Sequence, residues 1–229
     1  MAVTGVQTVF HLLVFLVFLY SSYYEWFHVE IVTGPFGKLY FLTYWNACLQ
    51  TVYYALCFAS DINSDQRSNS RLKRWRDHMH ASVAFPLGTF VVTSFWTLMA
   101  IDRELVFPKA NAHLVPDWLN HSLHTAVFPF LMIEKYLVHH QYPSRRSGIA
   151  LSCTVAVVYI IWILFVAYYE GFWVYPVLEV LAMLEKVLFI AVCCVFCASF
   201  YILGEFLTNI LWGKPVQTSK SHKAKAKRK

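Results

Sequence analysis

Charge is what this sequence has least of. Of its 229 residues only 14% are Asp, Glu, Lys or Arg, while 58% are hydrophobic and the mean hydropathy is +0.48. Ordinary globular domains carry roughly 25% charged residues, so this chain has too little polar surface for a water-soluble helical bundle. Other absences narrow the class further. No basic n-region precedes the first apolar run and no clear small-residue cleavage site follows it, so that run reads as a retained span rather than a signal peptide. No internal repeat of the kind that builds transporters is visible. Cys48, Cys57, Cys153, Cys193, Cys194 and Cys197 lack the spacing of a zinc site with histidine ligands. All six fall inside apolar runs, where they act as small hydrophobes, and no disulfide compartment follows from them.

What is present is a succession of apolar stretches of spanning length, at roughly 6–24, 39–60, 79–100, 117–137, 149–169 and 186–211. The expected fold is therefore all-α: a polytopic membrane protein whose residues 1–212 form a six-transmembrane-helix bundle, followed by a basic tail over residues 213–229. Lysine and arginine concentrate after the second stretch (Arg67 to Arg76), after the fourth (Arg145, Arg146) and in the tail. The positive-inside rule then places both termini in the cytosol. The tail reads as a solvated segment near anionic lipid, too short and too tethered for nucleic acid. Its Lys225-Ala226-Lys227-Arg228-Lys229 also has the spacing of a dilysine signal for retrieval to the endoplasmic reticulum. Ala84-Phe85-Pro86 marks a kink in the third span that neighbouring helices must satisfy. Glu134 and Glu205, near cytosolic span ends, are expected to snorkel or to pair with Lys135 or the tail.

The polar residues that need a reason lie in Trp118-Leu119-Asn120-His121-Ser122-Leu123-His124-Thr125. On a helix His124 shares a face with Asn120 and His121, with Asp117 a turn further back. Such groups inside a membrane segment must be paired or face a cavity. Given the topology, Thr43 lies about one turn, ~6 Å, below its membrane entry and His124 ~10 Å below its own, from a rise of ~1.5 Å per residue. The two meet at similar depth if their helices are neighbours. A threonine hydroxyl beside a histidine is the minimum for a nucleophile with a general base; Asn46 and Asn120 are candidate oxyanion donors and Asp117 a candidate orienting acid. The residues alone leave two plainer readings open, a Thr43 hydroxyl bonded to the preceding turn and a His124 that bonds a neighbouring helix.

Further strings carry a resemblance: Phe41-Leu42-Thr43, Ala84-Phe85-Pro86, Asp102-Arg103-Glu104, Phe107-Pro108-Lys109, Trp118-Leu119-Asn120-His121-x-x-His124-Thr125, His139-His140-Gln141-Tyr142-Pro143-Ser144, Trp173-Val174-Tyr175-Pro176 and Leu203-Gly204-Glu205. Together they resemble the androgen-induced-gene family, whose other branch is the androgen-dependent regulator of tissue factor pathway inhibitor; the His-His-Gln-Tyr-Pro-Ser string leans to the first branch. The resemblance implies a multi-pass membrane hydrolase of fatty acid esters of hydroxy fatty acids, with Thr43 as nucleophile and His124 as general base. It also implies a lipid ester drawn from the bilayer as substrate, a cell-membrane location, and neither cofactor nor metal. Arg103 and Lys109 are candidate receivers of the substrate carboxylate. Two other classes stand beside this one: a transporter or signalling protein whose His/Asn cluster binds a ligand or relays protons, and a metal hydrolase using His121, His124, His139 and His140. The last lacks the His-x-x-x-His spacing and glutamate of zincins.

Overall fold

A computed structural model describes residues 5–30, 34–63 and 70–213; the basic loop residues 64–69 and the whole lysine-rich tail, with its dilysine-like spacing, lie outside them. Every regular element among the described residues is helical. The main ones are α1 (Gly5–His28), α2 (Leu42–Ile62), α3 (Arg71–Met79), α4 (Phe85–Ile101), α5 (Asp117–His124), α6 (Val127–Leu137), α7 (Arg145–Glu170), α8 (Pro176–Val180) and α9 (Met183–Trp212).

Local chemistry sets the boundaries. The Ser70 hydroxyl accepts from Lys73 N at 3.4 Å and caps α3, so the basic segment from Arg71 is helical rather than loop. Helix α3 runs on through a π-helical turn, His80–Ala84, into α4. Pro86 has no N–H to offer Ser82 O, and Ser152 Oγ of α7 donates to that carbonyl at 2.6 Å instead. The expected kink is thus a π turn with a neighbour's hydroxyl filling the gap. Pro129 acts more severely. The carbonyl four residues before it belongs to Thr125, and α5 ends there. Helix α7 stops at Gly171, whose φ of 76° is open only to glycine at low cost.

Among the described residues four stretches are long and apolar enough to cross a membrane: α1, α3 through α4, α7 and α9. The second and fourth expected spans coincide with α2 and with the α5–α6 pair, which fall short for physical reasons. Helix α2 buries Asn46, Gln50, Ser60 and Asp61 along its length, and the fourth stretch is split into helices of 8 and 11 residues. Large apolar side chains such as Ile161, Leu164, Val187, Val192 and Val195 point outward on α7 and α9. That is the surface of a protein whose solvent is lipid.

Inside, α1 packs along α2, and α4 and α7 both pack on α9. The central core joins Val14 and Phe18 of α1, Tyr53, Tyr54 and Cys57 of α2, Phe85 of α4, and Val127 and Leu131 of α6. One end of the bundle collects the start of α1, the ends of α2, α6 and α9 and the starts of α3 and α7. There Lys135 Nζ donates to Tyr142 Oη (2.8 Å), Gly204 O (3.0 Å) and Thr208 Oγ1 (3.1 Å). Lys135 therefore ties α6 to α9 and does not pair with Glu134, as the sequence reading expected; Glu205 pairs with Arg145 at 2.7 Å. The opposite end holds the start of α2, the end of α7 and a second apolar cluster around Tyr40, Tyr159 and Val166.

At the polar end α7 and α9 approach closely through Gly148, where an added Cβ would fall inside the Tyr201 ring. That ring is fully buried and its hydroxyl donates to Pro143 O at 3.0 Å, so it cannot swing aside. Gly148→Ala should lower stability by about 1–3 kcal/mol, read as a fall in the melting temperature of detergent-solubilised protein. Gly5→Ala, with no atom within 4 Å of the new Cβ, should leave it unchanged.

Candidate functional site

The first turn of α2 is held by three aromatic residues from elsewhere in the chain. Leu42 N–H donates to the hydroxyls of Tyr159 (2.9 Å) and Tyr175 (3.0 Å). Tyr159 passes its own proton to Tyr40 O at 2.9 Å, so the 2.8 Å contact between the two hydroxyls has Tyr175 as donor. Trp162 Nε1 of α7 and Trp45 Nε1 of α2 both donate to Leu39 O at 2.8 Å. The helix start, where backbone N–H groups lack partners within the helix, is thereby fixed in place.

Thr43 is the next residue. Its hydroxyl makes no hydrogen bond among the described residues, unlike Thr51, Thr93 and Thr154, which each donate to the carbonyl one turn back. Its amide N–H is unbonded too, since Leu42 N is taken by the tyrosines and Tyr44 N and Trp45 N both donate to Phe41 O. Thr43 borders an apolar cavity of about 150 Å³ between α2, α4, α7, α8 and α9.

His124 lines the same cavity from the last residue of α5. Its imidazole stacks on Phe95 at 3.7 Å between centroids and 13° between planes. Its main-chain carbonyl accepts from Trp96 Nε1 at 2.7 Å, so α4 fixes both its backbone and its ring. Its Nδ1 is buried with no hydrogen-bond partner. No hydrogen bond joins it to Thr43 in this structure; catalytic pairs are often loose until substrate is bound. The lining contains no Asp, Glu, Lys or Arg. Its polar members are Thr43, Ser94, His124, Tyr159, Tyr175 and the thiols of Cys193, Cys194 and Cys197.

The other site residues read from sequence lie away from this lining. Asn46 is buried one turn along α2, accepting from Gln50 Nε2 at 3.2 Å and leaving its own Nδ2 without a partner. Asn120 is half-buried on α5, outside the cavity lining. Asp117 is exposed at the start of α5 and is not bonded to His124 Nδ1. Arg103 donates to Phe107 O at 3.1 Å and lies over the Phe107 ring, while Lys109 is exposed. The four histidines of the metal-hydrolase reading do not gather: His121 bonds Thr125 Oγ1 at 3.0 Å on an outer face, His139 stacks on Trp212, and His140 is buried at the polar end. Sequence reasoning missed Ser94, Tyr159 and Tyr175. Tyr175 sits in the Trp-Val-Tyr-Pro string but counts there only towards the family resemblance, and Tyr159 has no mark within its apolar run.

Comparison with known proteins fits this scaffold into a family. The family described as FAR-17a/AIG1-like protein matches residues 6–209. The chain belongs to that family. It is 40% identical over 186 residues to the human androgen-induced gene 1 protein, covering 77% of this chain and 78% of that one. To the human androgen-dependent TFPI-regulating protein it is 36% identical over 186 residues, 80% and 81% of the two chains. A Schizosaccharomyces pombe UPF0641 membrane protein is 28% identical over 123 residues, 53% of this chain and 55% of that one. No solved structure matches. The printed name of that last relative, a membrane protein, agrees with the apolar exterior of this bundle.

The tyrosine clamp makes a stability prediction. Tyr159→Phe removes the donor to Tyr40 O and one acceptor for Leu42 N–H, and should cost about 1–3 kcal/mol as a buried carbonyl loses its partner. Melting temperature should fall, and hydrogen exchange should accelerate at the amides of Leu42 to Tyr44. Tyr169→Phe, on an exposed ring, should change neither.

Proposed function

We propose that this protein is a membrane-embedded carboxylic ester hydrolase that cleaves fatty acid esters of hydroxy fatty acids, with Thr43 as nucleophile and His124 as general base. The observation that carries the reading is the convergence of an unbonded threonine hydroxyl and an imidazole on one apolar cavity without formal charge in its lining. The family resemblance supplies the substrate class.

In the first step Thr43 Oγ attacks the ester carbonyl while His124 takes its proton. The negative charge that develops on the carbonyl oxygen needs donors fixed in advance. Thr43's own N–H, unbonded at the start of α2 among the described residues, borders the reacting hydroxyl and is the donor available; the Tyr159 and Tyr175 protons are already given to Tyr40 O and Tyr159 Oη. His124 then gives the proton to the departing alkoxide, releasing the hydroxy fatty acid. Water, deprotonated by His124, attacks the acyl-threonine, and collapse returns Thr43 and a free fatty acid. A cavity of about 150 Å³ is the size that holds one benzene in an apolar core, so it takes the ester and its adjoining methylenes, with the rest of the chains left in the bilayer.

The topology follows the same reading. Six spans with both termini cytosolic put the Thr43 end of the bundle on the non-cytosolic side and the Lys135 end in the cytosol. The basic segments that begin α3 and α7 lie at that cytosolic end, in keeping with the positive-inside rule.

In membranes with matched expression, Thr43→Ala should lower ester hydrolysis by about 10³-fold or more, the scale on which loss of a covalent nucleophile falls, and should abolish labelling by a fluorophosphonate. His124→Ala should do the same, and Thr43→Ser, which keeps a hydroxyl, should retain measurable turnover and labelling. Hydrolysis by Thr43→Ala at the wild-type rate would reject the nucleophile assignment. An inactive wild type would move a ligand-binding or transport role ahead of the enzyme. An epitope after Lys229 should be accessible in cells whose plasma membrane alone is permeabilised, and inaccessible in intact cells.

A further inference from the structure

Among the described residues a cluster of fully buried polar groups lies away from the cavity, around Glu134 at the other end of the bundle. Glu134 has no solvent exposure, and neither do His11 and Cys57; His140 is 1% exposed. His11 Nε2 lies 2.6 Å from Glu134 Oε2, while His140 Nε2, Tyr53 Oη and Cys57 Sγ lie 3.1, 2.8 and 3.8 Å from Oε1. One ligand atom each from His11, Cys57 and Glu134 lies within 4.8 Å of the others.

The outer partners decide what this arrangement suits. His11 Nδ1 faces Asp61 Oδ2 at 2.6 Å, and His140 Nδ1 faces Asp77 Oδ1 at 2.9 Å. Asp77 is itself gripped by Arg76 through Nε (3.0 Å) and Nη2 (2.8 Å). A carboxylate behind Nδ1 fixes the ring and its tautomer, leaving the Nε2 lone pair directed forward, and that is how metal-binding imidazoles are held. The arrangement is built twice here, and both Nε2 atoms face the same carboxylate. With both imidazoles neutral, electron-rich atoms confront one another across Glu134. His80, with neither ring nitrogen hydrogen-bonded, lies flat on the His140 ring at 3.9 Å and holds its plane.

We propose that His11, Cys57 and Glu134 form a buried divalent-cation site suited to zinc, with His140 on Glu134 Oε1 at its edge. An imidazole, a carboxylate and a thiol are ligand types zinc takes, and three protein ligands leave its fourth tetrahedral position open. Zinc bonds of ~2.0–2.3 Å require neighbouring ligand atoms roughly 3.3–3.6 Å apart. The three ligand atoms, all within 4.8 Å of one another, need to shift by only about an ångström to reach that. The ligands come from α1, α2 and α6, so an ion here would clip three parts of the chain together and stabilise the fold. No ligand of this site lines the Thr43 cavity, and the site stands or falls apart from the hydrolase reading. The alternative occupants are protons: imidazoliums at His11 and His140, each between two carboxylates, form an ion-pair network with no metal.

The test uses the full chain purified in detergent, stripped with a chelator and desalted. Wild type should take up one tightly held Zn²⁺ by elemental analysis and melt at higher temperature for it. Co²⁺ should give the visible absorption of a tetrahedral site together with a thiolate-to-cobalt charge-transfer band. Cys57→Ser, the most conservative change, should keep the fold and lose that band, and Glu134→Gln should lose the metal-dependent rise in melting temperature. His121→Ala and His139→Gln, which alter histidines outside the cluster, should leave uptake unchanged. A wild type that holds no metal and melts at the same temperature with and without it would overturn the proposal in favour of the proton-held network. A cobalt complex whose charge-transfer band survives Cys57→Ser would overturn the ligand set.

Discussion

Glu134 is the group on which the arrangement of the bundle depends. A carboxylate with no solvent exposure is tolerable only when partners replace the water it has lost, and removing one partner of such a group costs several kcal/mol. Its partners come from α1, α2 and the segment between α6 and α7, so none of those parts can move without exposing a charge to an apolar interior. Lys135, the next residue, does the same in the opposite direction by donating three hydrogen bonds that bind α6 to Tyr142 and α9. Two adjacent side chains of opposite charge thus point to different helices. Pairing with each other would join nothing but α6 to itself.

The two ends of the molecule consequently work by different physics. The polar end is held by charge: Asp61, Asp77 and Glu134 each have more than one partner, and Arg76 and Lys135 have fixed acceptors. The cavity end is held by neutral groups, chiefly phenol and indole donors on backbone carbonyls. Keeping formal charge out of the lining suits a lipid ester, whose reacting centre is neutral and whose chains gain nothing from polar contacts. It also leaves the Thr43 amide N–H, the one donor there without a partner among the described residues, free of a competing carboxylate.

Much of the fold was legible in the sequence because its driving force is local. Apolar runs of spanning length appear as runs, and the π turn before Pro86 follows from a missing N–H. The split after His124 had the same cause at Pro129, but an eleven-residue remainder of apolar side chains disguised it as one span. Helix α3 was hidden by its charge, although Ser70 followed three residues later by Lys73 N is a capping geometry. The Glu134 network was out of reach for a different reason. His11 and Glu134 are separated by 123 positions and His140 and Asp77 by 63, and nothing short-range announces that such groups meet. The sequence reading had Glu134 snorkel or pair with Lys135 or the tail, which is the natural inference when only neighbours along the chain and the membrane edge can be seen. Likewise Thr43 and His124 stand out through family resemblance, while Tyr159 is one aromatic among many in α7.

The clamp at the start of α2 links the packing to the chemistry. A helix offers unbonded N–H groups in its first turn, and something must satisfy them or leave them free. Here Tyr159 and Tyr175 take up Leu42 N–H, and Phe41 O takes those of Tyr44 and Trp45. Only the amide of Thr43 is left over in that turn among the described residues. On the proposed reading, the pattern gives a reason for a nucleophile at this position rather than about two turns deeper, where the Thr51 hydroxyl is consumed by the helix itself. It also explains why two bulky aromatic residues from α7 and the segment before α8 must converge there. By holding Leu42 they set the direction in which the free amide and hydroxyl of Thr43 face the cavity, so the positioning of the reactive group is a consequence of how the helix is capped.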